Sequence, residues 1–260
     1  LIRLAGISQA DLLRAADWQR QHETGFGEAI VALGIATQAV VDAALSDADT
    51  LPAARVDRSL KALYEPFHPY SERIRALRTE VQLRRAARPG SALAVLGTGR
   101  AEGRSRLAAE LAIACAQLGE PTLLIDADLR KPDQHRLFGT KNERGLSALA
   151  TGGQPRFVPV AEVPGLALVT AGTALQHPQE LLASQRFGDA LRAWARRYRH
   201  IVIDTTAGSG LSDGLAVAAQ AGAVVLCARR DQTRLPEYSA LVQRLHAASV
   251  AVLAGVMTVA

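Results

Sequence analysis

The stretch "ALAVLGTGRAEGRSRLAAELAIACAQLGEPTLLIDA", residues 92–127, holds the architecture of most of this chain in miniature. Its two ends, "ALAVLG" (92–97) and "PTLLIDA" (121–127), are near-continuous apolar runs rather than alternations, the pattern of parallel strands buried on both faces. Between them, residues 104–118 have the alanine- and leucine-rich composition of a helix. The same grammar recurs downstream. Apolar runs stand at 166–171, 200–205, 223–228 and 250–257, with helical segments at 185–198, 212–221 and 236–248. Strand and helix in regular alternation predict an α/β fold, a doubly wound and mostly parallel sheet.

Upstream the grammar differs. Residues 71–87 read as a basic amphipathic helix, preceded by "TLPAARVDRSLKALYEPFHP" (50–69), whose three prolines mark a linker with room for one helix turn. Residues 1–49 carry helix signals and no strand signals. Ser8 can cap a helix bearing Leu12, Leu13, Ala16 and Trp18, which Gly25 and Gly27 break. A short helix through Ile30 and Leu33 ends at Gly34, and Thr37 caps a third carrying Val40, Val41, Ala44 and Leu45. The expected organisation is a helical bundle at 1–49, a linker at 50–70 and the α/β domain at 71–260.

With 260 residues, 48% of them hydrophobic, the chain can bury a real core, and aromatics at 4% leave that core to Ala, Leu and Val. The net charge of +5 rests on arginine, since Lys61, Lys131 and Lys141 are the only lysines. A diffuse charge of this size permits anionic ligands and argues for no nucleic-acid partner. Cys115 and Cys227 sit among apolar neighbours without metal-ligand spacing, as expected of a reducing, cytoplasmic setting. No apolar run approaches the roughly 20 residues of a membrane span.

Ligands of such sheets lie at the C-terminal ends of the strands. Those ends here read "GTGRAEGRS", "DADLRKP" and "DTTAGSGLSDG". The first joins a strand to a helix, where a phosphate-binding loop would read G-x-x-x-x-G-K-[ST]. Gly103 and Ser105 are in place, Arg104 replaces the lysine and Thr98 the first glycine. Gly99, Arg100, Ala101, Glu102, Gly103, Arg104, Ser105 and Arg106 are therefore the expected nucleotide-binding residues, their backbone N–H groups aimed at phosphate from a helix N-terminus. Ser105, Asp126 and Asp204 supply the hard oxygen ligands that Mg²⁺ prefers. Strand-end aspartates also serve simply to cap loops.

"EGRS", "LAAELAIACAQLGEPTLLIDADLRKPDQHRLFG" and "HIVIDTTAGSGLSDG" resemble the bacterial tyrosine kinases of capsule and exopolysaccharide synthesis, over about residues 64–260. "HPQELLASQRF" (177–187) is similar to that family's N-P-x-E-L-L-x-S-x-x-F, and "ERIRALR" (72–78) to its E-x-x-R-x-x-R. Most similar is the branch of chain-length-determinant tyrosine kinases, with arginine in the loop and a helical extension. The resemblance implies a P-loop NTPase fold, ATP or ADP with Mg²⁺, and Asp128 as the base that draws a proton from a tyrosine hydroxyl, with Arg104 on the phosphates. It further implies self-association through Glu72, Arg75 and Arg78. The expected partner is a membrane-embedded polysaccharide chain-length regulator, which would hold the protein at the cytoplasmic face of the inner membrane.

Certain positions depart from the family pattern. Thr206 stands where it has a proline, "GVMTVA" lacks its closing asparagine, and Tyr64, Tyr70, Tyr198 and Tyr238 are scattered rather than gathered in a tail. Arginine is not interchangeable with lysine at a phosphate site. The expectation is nucleotide binding with weak or no kinase activity; a non-catalytic scaffold and a partitioning-type ATPase are the competing readings. The segment "FGEAIVALGIATQAVVDAAL" resembles the N-terminal domain of type II secretion ATPases. Without an arginine and glutamine to bind cyclic di-GMP, a protein-docking role is expected for it.

Overall fold

The computed structural model describes residues 26–38, 56–85, 92–99, 101–206 and 211–259, with a few helical positions between 11 and 22. The chain divides into two compact units, Leu1–Ala53 and Ala54–Ala260.

In the first unit, the helix Phe26–Ala32 buries Ala29 and Ile30 with Ala15, and Trp18, Leu33 and Ile35 pack around them. It stops where Gly34 takes a left-handed φ of +64°, a conformation glycine adopts without strain. The expected end is therefore found, and Gly27, expected to break the preceding helix, lies within the first turn of this one. The helix expected through Val40, Val41, Ala44 and Leu45 lies outside the described residues.

The second unit begins with α1 (Lys61–Tyr64) and α2 (Pro69–Arg85). Then follow β1 (Ala92–Gly97), α3 (Arg104–Ala116), β2 (Thr122–Asp126) and α4 (Gln134–Leu137). A 3₁₀ turn, Leu146–Thr151, leads to β3 (Val158–Pro159) and β4 (Leu166–Val169), then α5 (Pro178–Leu182) and α6 (Gln185–Ala195). The chain continues through β5 (His200–Asp204), α7 (Leu211–Ala221), β6 (Gly222–Arg229), α8 (Leu235–Ala247) and β7 (Ala251–Thr258). The strands form one seven-stranded sheet in the order β3-β4-β2-β5-β1-β6-β7. All its pairings are parallel except β3 with β4. All six strands expected from the apolar runs are present. The two-residue β3 escapes sequence reading because Pro159 confines it to an edge.

Both sheet faces are covered. Leu93, Val95, Leu124, Val202 and Val225 pack on one side with Ile74 and Val81 of α2 and Leu107 and Leu111 of α3. Leu96, Leu123, Ile125, Ile203 and Leu226 pack on the other with Phe187 and Trp194 of α6, Val217 of α7 and Leu241 of α8. Successive strand residues thus serve opposite layers, which is why the runs are apolar without a break.

Part of the stretch expected to be linker is folded. Val56, Leu60 and Ala62 are buried in the core beside α3. Glu110, fully buried on α3, accepts the backbone N–H groups of Lys61 (2.8 Å) and Ala62 (2.7 Å), so it caps α1 from a different helix. Burial raises the Glu110 carboxyl above its ordinary range, and these bonds oppose the shift.

Candidate functional site

Strand register brings the site together. Val95 of β1 lies opposite Asp204 of β5, and Asp204 lies opposite Asp126 of β2, so both carboxylates stand beside the exit of β1. From Gly97 the chain turns through a loop into α3. Ala101 (φ +56°) and Gly103 (φ +82°) both take left-handed backbone, and the residue between them, Glu102, is turned inward and only 1% exposed. Gly103 is the N-cap of α3 and leaves its first N–H groups without a side-chain cap. Such a helix start favours an anion.

Arg104 is 9% exposed and its guanidinium serves the protein itself. Nη1 donates to the Gly99 carbonyl (2.5 Å) and meets the Glu102 carboxylate at 3.4 Å, while Nε donates to the Thr205 carbonyl (3.4 Å). Ser105 begins α3 beside Asp204. Arg106 is exposed, its Nη1 3.5 Å from the Ser59 carbonyl. Arg100 lies outside the described residues.

The two buried aspartates differ. Asp126 accepts three backbone N–H groups, from Asp128 (3.1 Å), Asp133 (3.2 Å) and Gln134 (3.1 Å), and so organises the loop after β2. Asp204 accepts the Gln134 amide on Oδ2 (2.8 Å), whereas its buried Oδ1 has no hydrogen-bond partner among the described residues. Burial and the adjacent Asp204 hold the Asp126 carboxyl well above its ordinary range. Burial lifts Asp204 to about 6, against the pull of Gln134 and Ser105. An orphaned anionic oxygen beside a serine hydroxyl at a strand end fits a hard divalent cation, which keeps several water or phosphate oxygens of its own. Asp126, with its oxygens engaged, fits a supporting part. Among the described residues no group of three or more His, Cys, Asp or Glu gathers as a metal cluster.

Asp128 is half-buried, its Oδ1 accepting the backbone N–H groups of Arg130 (3.2 Å) and Lys131 (2.9 Å). Arg130 grips buried Asp213 through two nitrogens (2.6 and 3.3 Å), tying this loop to the start of α7. Beside the 98–105 loop opens a cleft of about 790 Å³ whose lining includes Lys61, His68, Arg73, Arg106 and Arg229 and no carboxylate. Ile74, Leu107, Val256 and Met257 give it an apolar wall. The sequence pointed to Gly99–Arg106, Asp126, Asp128 and Asp204. It missed Gln134, Thr233 and the Arg130–Asp213 clamp, because contacts between separate strand-end loops leave no periodic trace.

Of the residues expected on one associating stripe, Glu72 and Arg75 pair with each other at 2.5 Å and Arg75 also reaches the Pro66 carbonyl. Arg78 instead donates to the Ala114 carbonyl of α3 (2.9 Å), inside its own unit. No helix among the described residues is long and apolar enough to cross a membrane.

No family model matches the chain. It is similar to a putative tyrosine-protein kinase, CapB, of Staphylococcus aureus, 34% identical over 157 residues covering 58% of this chain and 69% of that protein. The kinase domain of Escherichia coli tyrosine kinase ETK superposes with a TM-score of 0.72 at 28% identity, over 76% of this chain and 79% of that one. The septum site-determining protein MinD of Pyrococcus horikoshii, complexed with Mg-ADP, shares the P-loop NTPase fold at 16% identity (TM-score 0.55, 64% of this chain and 69% of that one). The chain spans about a quarter of the length of several of the curated relatives it matches. With a kinase-domain fold and identity maintained over two thirds of CapB, the chain belongs to the bacterial tyrosine-protein kinases.

Proposed function

We propose that this protein binds ATP or ADP with Mg²⁺ at the 98–105 loop and regulates exopolysaccharide polymerisation or export as a tyrosine-kinase-like component with weak or no phosphoryl transfer. The observation that carries the reading is Arg104: it occupies the lysine position of the loop, yet its guanidinium lies on Gly99, Thr205 and Glu102. The N–H groups at the start of α3 would hold the phosphates, and the basic, acid-free cleft beside them would take the nucleoside. Asp204 Oδ1 and the Ser105 hydroxyl would hold Mg²⁺, with Asp126 keeping the neighbouring loop in place. Magnesium, when bound, neutralises charge on phosphate oxygens. Asp128 would accept the proton of a tyrosine hydroxyl.

Turnover is expected to be poor because the cation on a transferring phosphoryl group has to be well placed. Misplacement by about 1 Å costs on the order of a hundred-fold in rate. Ground-state binding tolerates this better, since the amides still hold phosphate. Glu72 and Arg75, beside the 92%-exposed Phe67, would supply the self-associating surface, and a membrane-embedded chain-length regulator would hold the protein at the cytoplasmic face of the inner membrane.

A thermal-shift titration with ATP, ADP and Mg²⁺ tests the reading. Ligand at a hundred times Kd should add about 2.7 kcal/mol to stability. No shift at millimolar nucleotide would favour the non-catalytic scaffold.

A further inference from the structure

The phosphate loop carries its own anion. Glu102 turns its side chain inward, and its carboxylate lies over the end of β1. A Cβ added to Gly97 would fall 2.0 Å from Glu102 Oε2, and one added to Gly99 would fall 3.0 Å from Oε1. The carboxylate fills the space these glycines leave open. Three donors hold it there: the hydroxyls of Thr98 (3.0 Å) and Thr233 (2.6 Å) on Oε1, and the Arg104 guanidinium (3.4 Å) on Oε2. Thr233 is itself fixed, because its hydroxyl accepts the Arg229 backbone N–H (2.8 Å). The Thr258 hydroxyl donates to the Glu102 carbonyl (3.0 Å), so the loop after β6 and the last residue of β7 both hold this one residue.

From this arrangement we infer that Glu102 sets the nucleotide affinity of the loop: its carboxylate stands in for a phosphate on Arg104, and a phosphate-bearing ligand has to take the guanidinium from it. The inference rests on the reading of residues 98–105 as a nucleotide site. Two physical effects act together. A buried negative charge within the loop repels an incoming phosphate, and little water intervenes to screen it. The guanidinium, which would otherwise grip phosphate through charge-assisted bonds, is already engaged. Apparent affinity falls by the fraction of molecules in which Arg104 is free; if that is about a tenth, the apparent Kd is about ten-fold weaker than the intrinsic one. The loop after β6 shares in the device through Thr233, so a partner or ligand that moves residues 230–234 would loosen the carboxylate and open the site.

Calorimetric titration of ADP, with and without Mg²⁺, into the full chain and its Glu102→Gln variant tests this, alongside hydrogen exchange of both proteins free of nucleotide. Glutamine has the size of glutamate without its charge. The variant should bind ADP about ten-fold more tightly, equivalent to about 1.4 kcal/mol, and its 98–103 amides should exchange faster before any ligand is added. Tight binding by the variant alone, with none by the wild type, supports the inference in its strongest form. If the wild type binds ADP and the variant binds it equally or less well, Glu102 merely builds the loop and the inference is overturned while the nucleotide site stands. If neither binds, the inference and the nucleotide site fall together. Should Glu102→Gln not fold, Thr233→Val, which removes one donor from the carboxylate, is expected to raise ADP affinity several-fold, and no rise overturns the inference.

Discussion

Gln134 ties Asp204 to its surroundings: its amide nitrogen reaches Oδ2 at 2.8 Å and the Ser105 carbonyl at the same distance. One buried amide therefore joins the loop after β2, the start of α3 and the end of β5. Replacing it with leucine removes the amide bond from a buried carboxylate, which costs about 1–3 kcal/mol. Gln134→Leu should lower the midpoint of chemical denaturation, and added Mg²⁺ should restore more stability to it than to the wild type.

Arg104→Lys should raise phosphoryl transfer. A lysine is a compact point charge, free of the planar geometry that lays the guanidinium across Gly99 and Thr205. Phosphotyrosine formation and ADP release are expected at or near background in the wild type and clearly above it in Arg104→Lys. Asp128→Asn in that background should return both to background. Robust phosphotyrosine on the unmodified protein would make Arg104 an adapted catalytic group and overturn the impaired-kinase reading.

Position 78 should separate from positions 72 and 75. Arg78 is bonded to the Ala114 carbonyl and its Nε is buried, so Arg78→Ala should cost about 1 kcal/mol of stability with or without assembly. Glu72 is exposed and pairs with Arg75, so Glu72→Arg should leave stability nearly unchanged and abolish self-association. Light scattering at high concentration, with denaturation curves for both variants, checks the separation. Identical masses for wild type and Glu72→Arg would remove this surface from assembly.

His200 is 6% exposed, and burial lowers its pKa despite the Glu120 carboxylate bonded to Nε2. Its folded form thus prefers to be neutral. The associated stability is present above the unfolded value near 6.5 and is lost as pH falls toward the lowered folded value. Asp204, raised to about 6, acts in the opposite direction, gaining stability as it takes up a proton. The net profile of the wild type therefore mixes the two, and the difference from His200→Gln isolates the histidine. Denaturation at a series of pH values should show the wild-type advantage over His200→Gln shrinking below about pH 6.5. A constant difference would mean that the ring does not titrate with folding.

The strands were legible because each serves two core layers and so cannot alternate; Leu93 and Leu96 face opposite layers, as do Leu123 and Leu124. The strand–turn–helix unit from β1 to α3 was legible because an apolar run, a glycine-bearing turn and an alanine-rich helix leave a spacing that survives the replacement of lysine by Arg104. What escaped was tertiary. Spacing does not reveal that Asp126 spends its oxygens on three backbone N–H groups while Asp204 keeps one unpartnered. Nor does an arginine stripe at helical spacing reveal that Arg78 points into its own fold. Glu110 offered the one available hint. It is the lone charged residue in the apolar run 107–116, and such a residue on a buried helix needs a partner.

That partner sets where the gene can be cut. A fragment starting near residue 71, where the regular alternation begins, would discard Val56, Leu60 and Ala62 and expose the apolar surface they cover. It would also strip Glu110 of both N–H groups and strand an acid inside the protein. Such a fragment would be sticky and poorly behaved for reasons unrelated to any ligand. A fragment beginning at residue 54 keeps that shell intact, and comparisons of activity between the two would otherwise mistake a damaged shell for a dead enzyme.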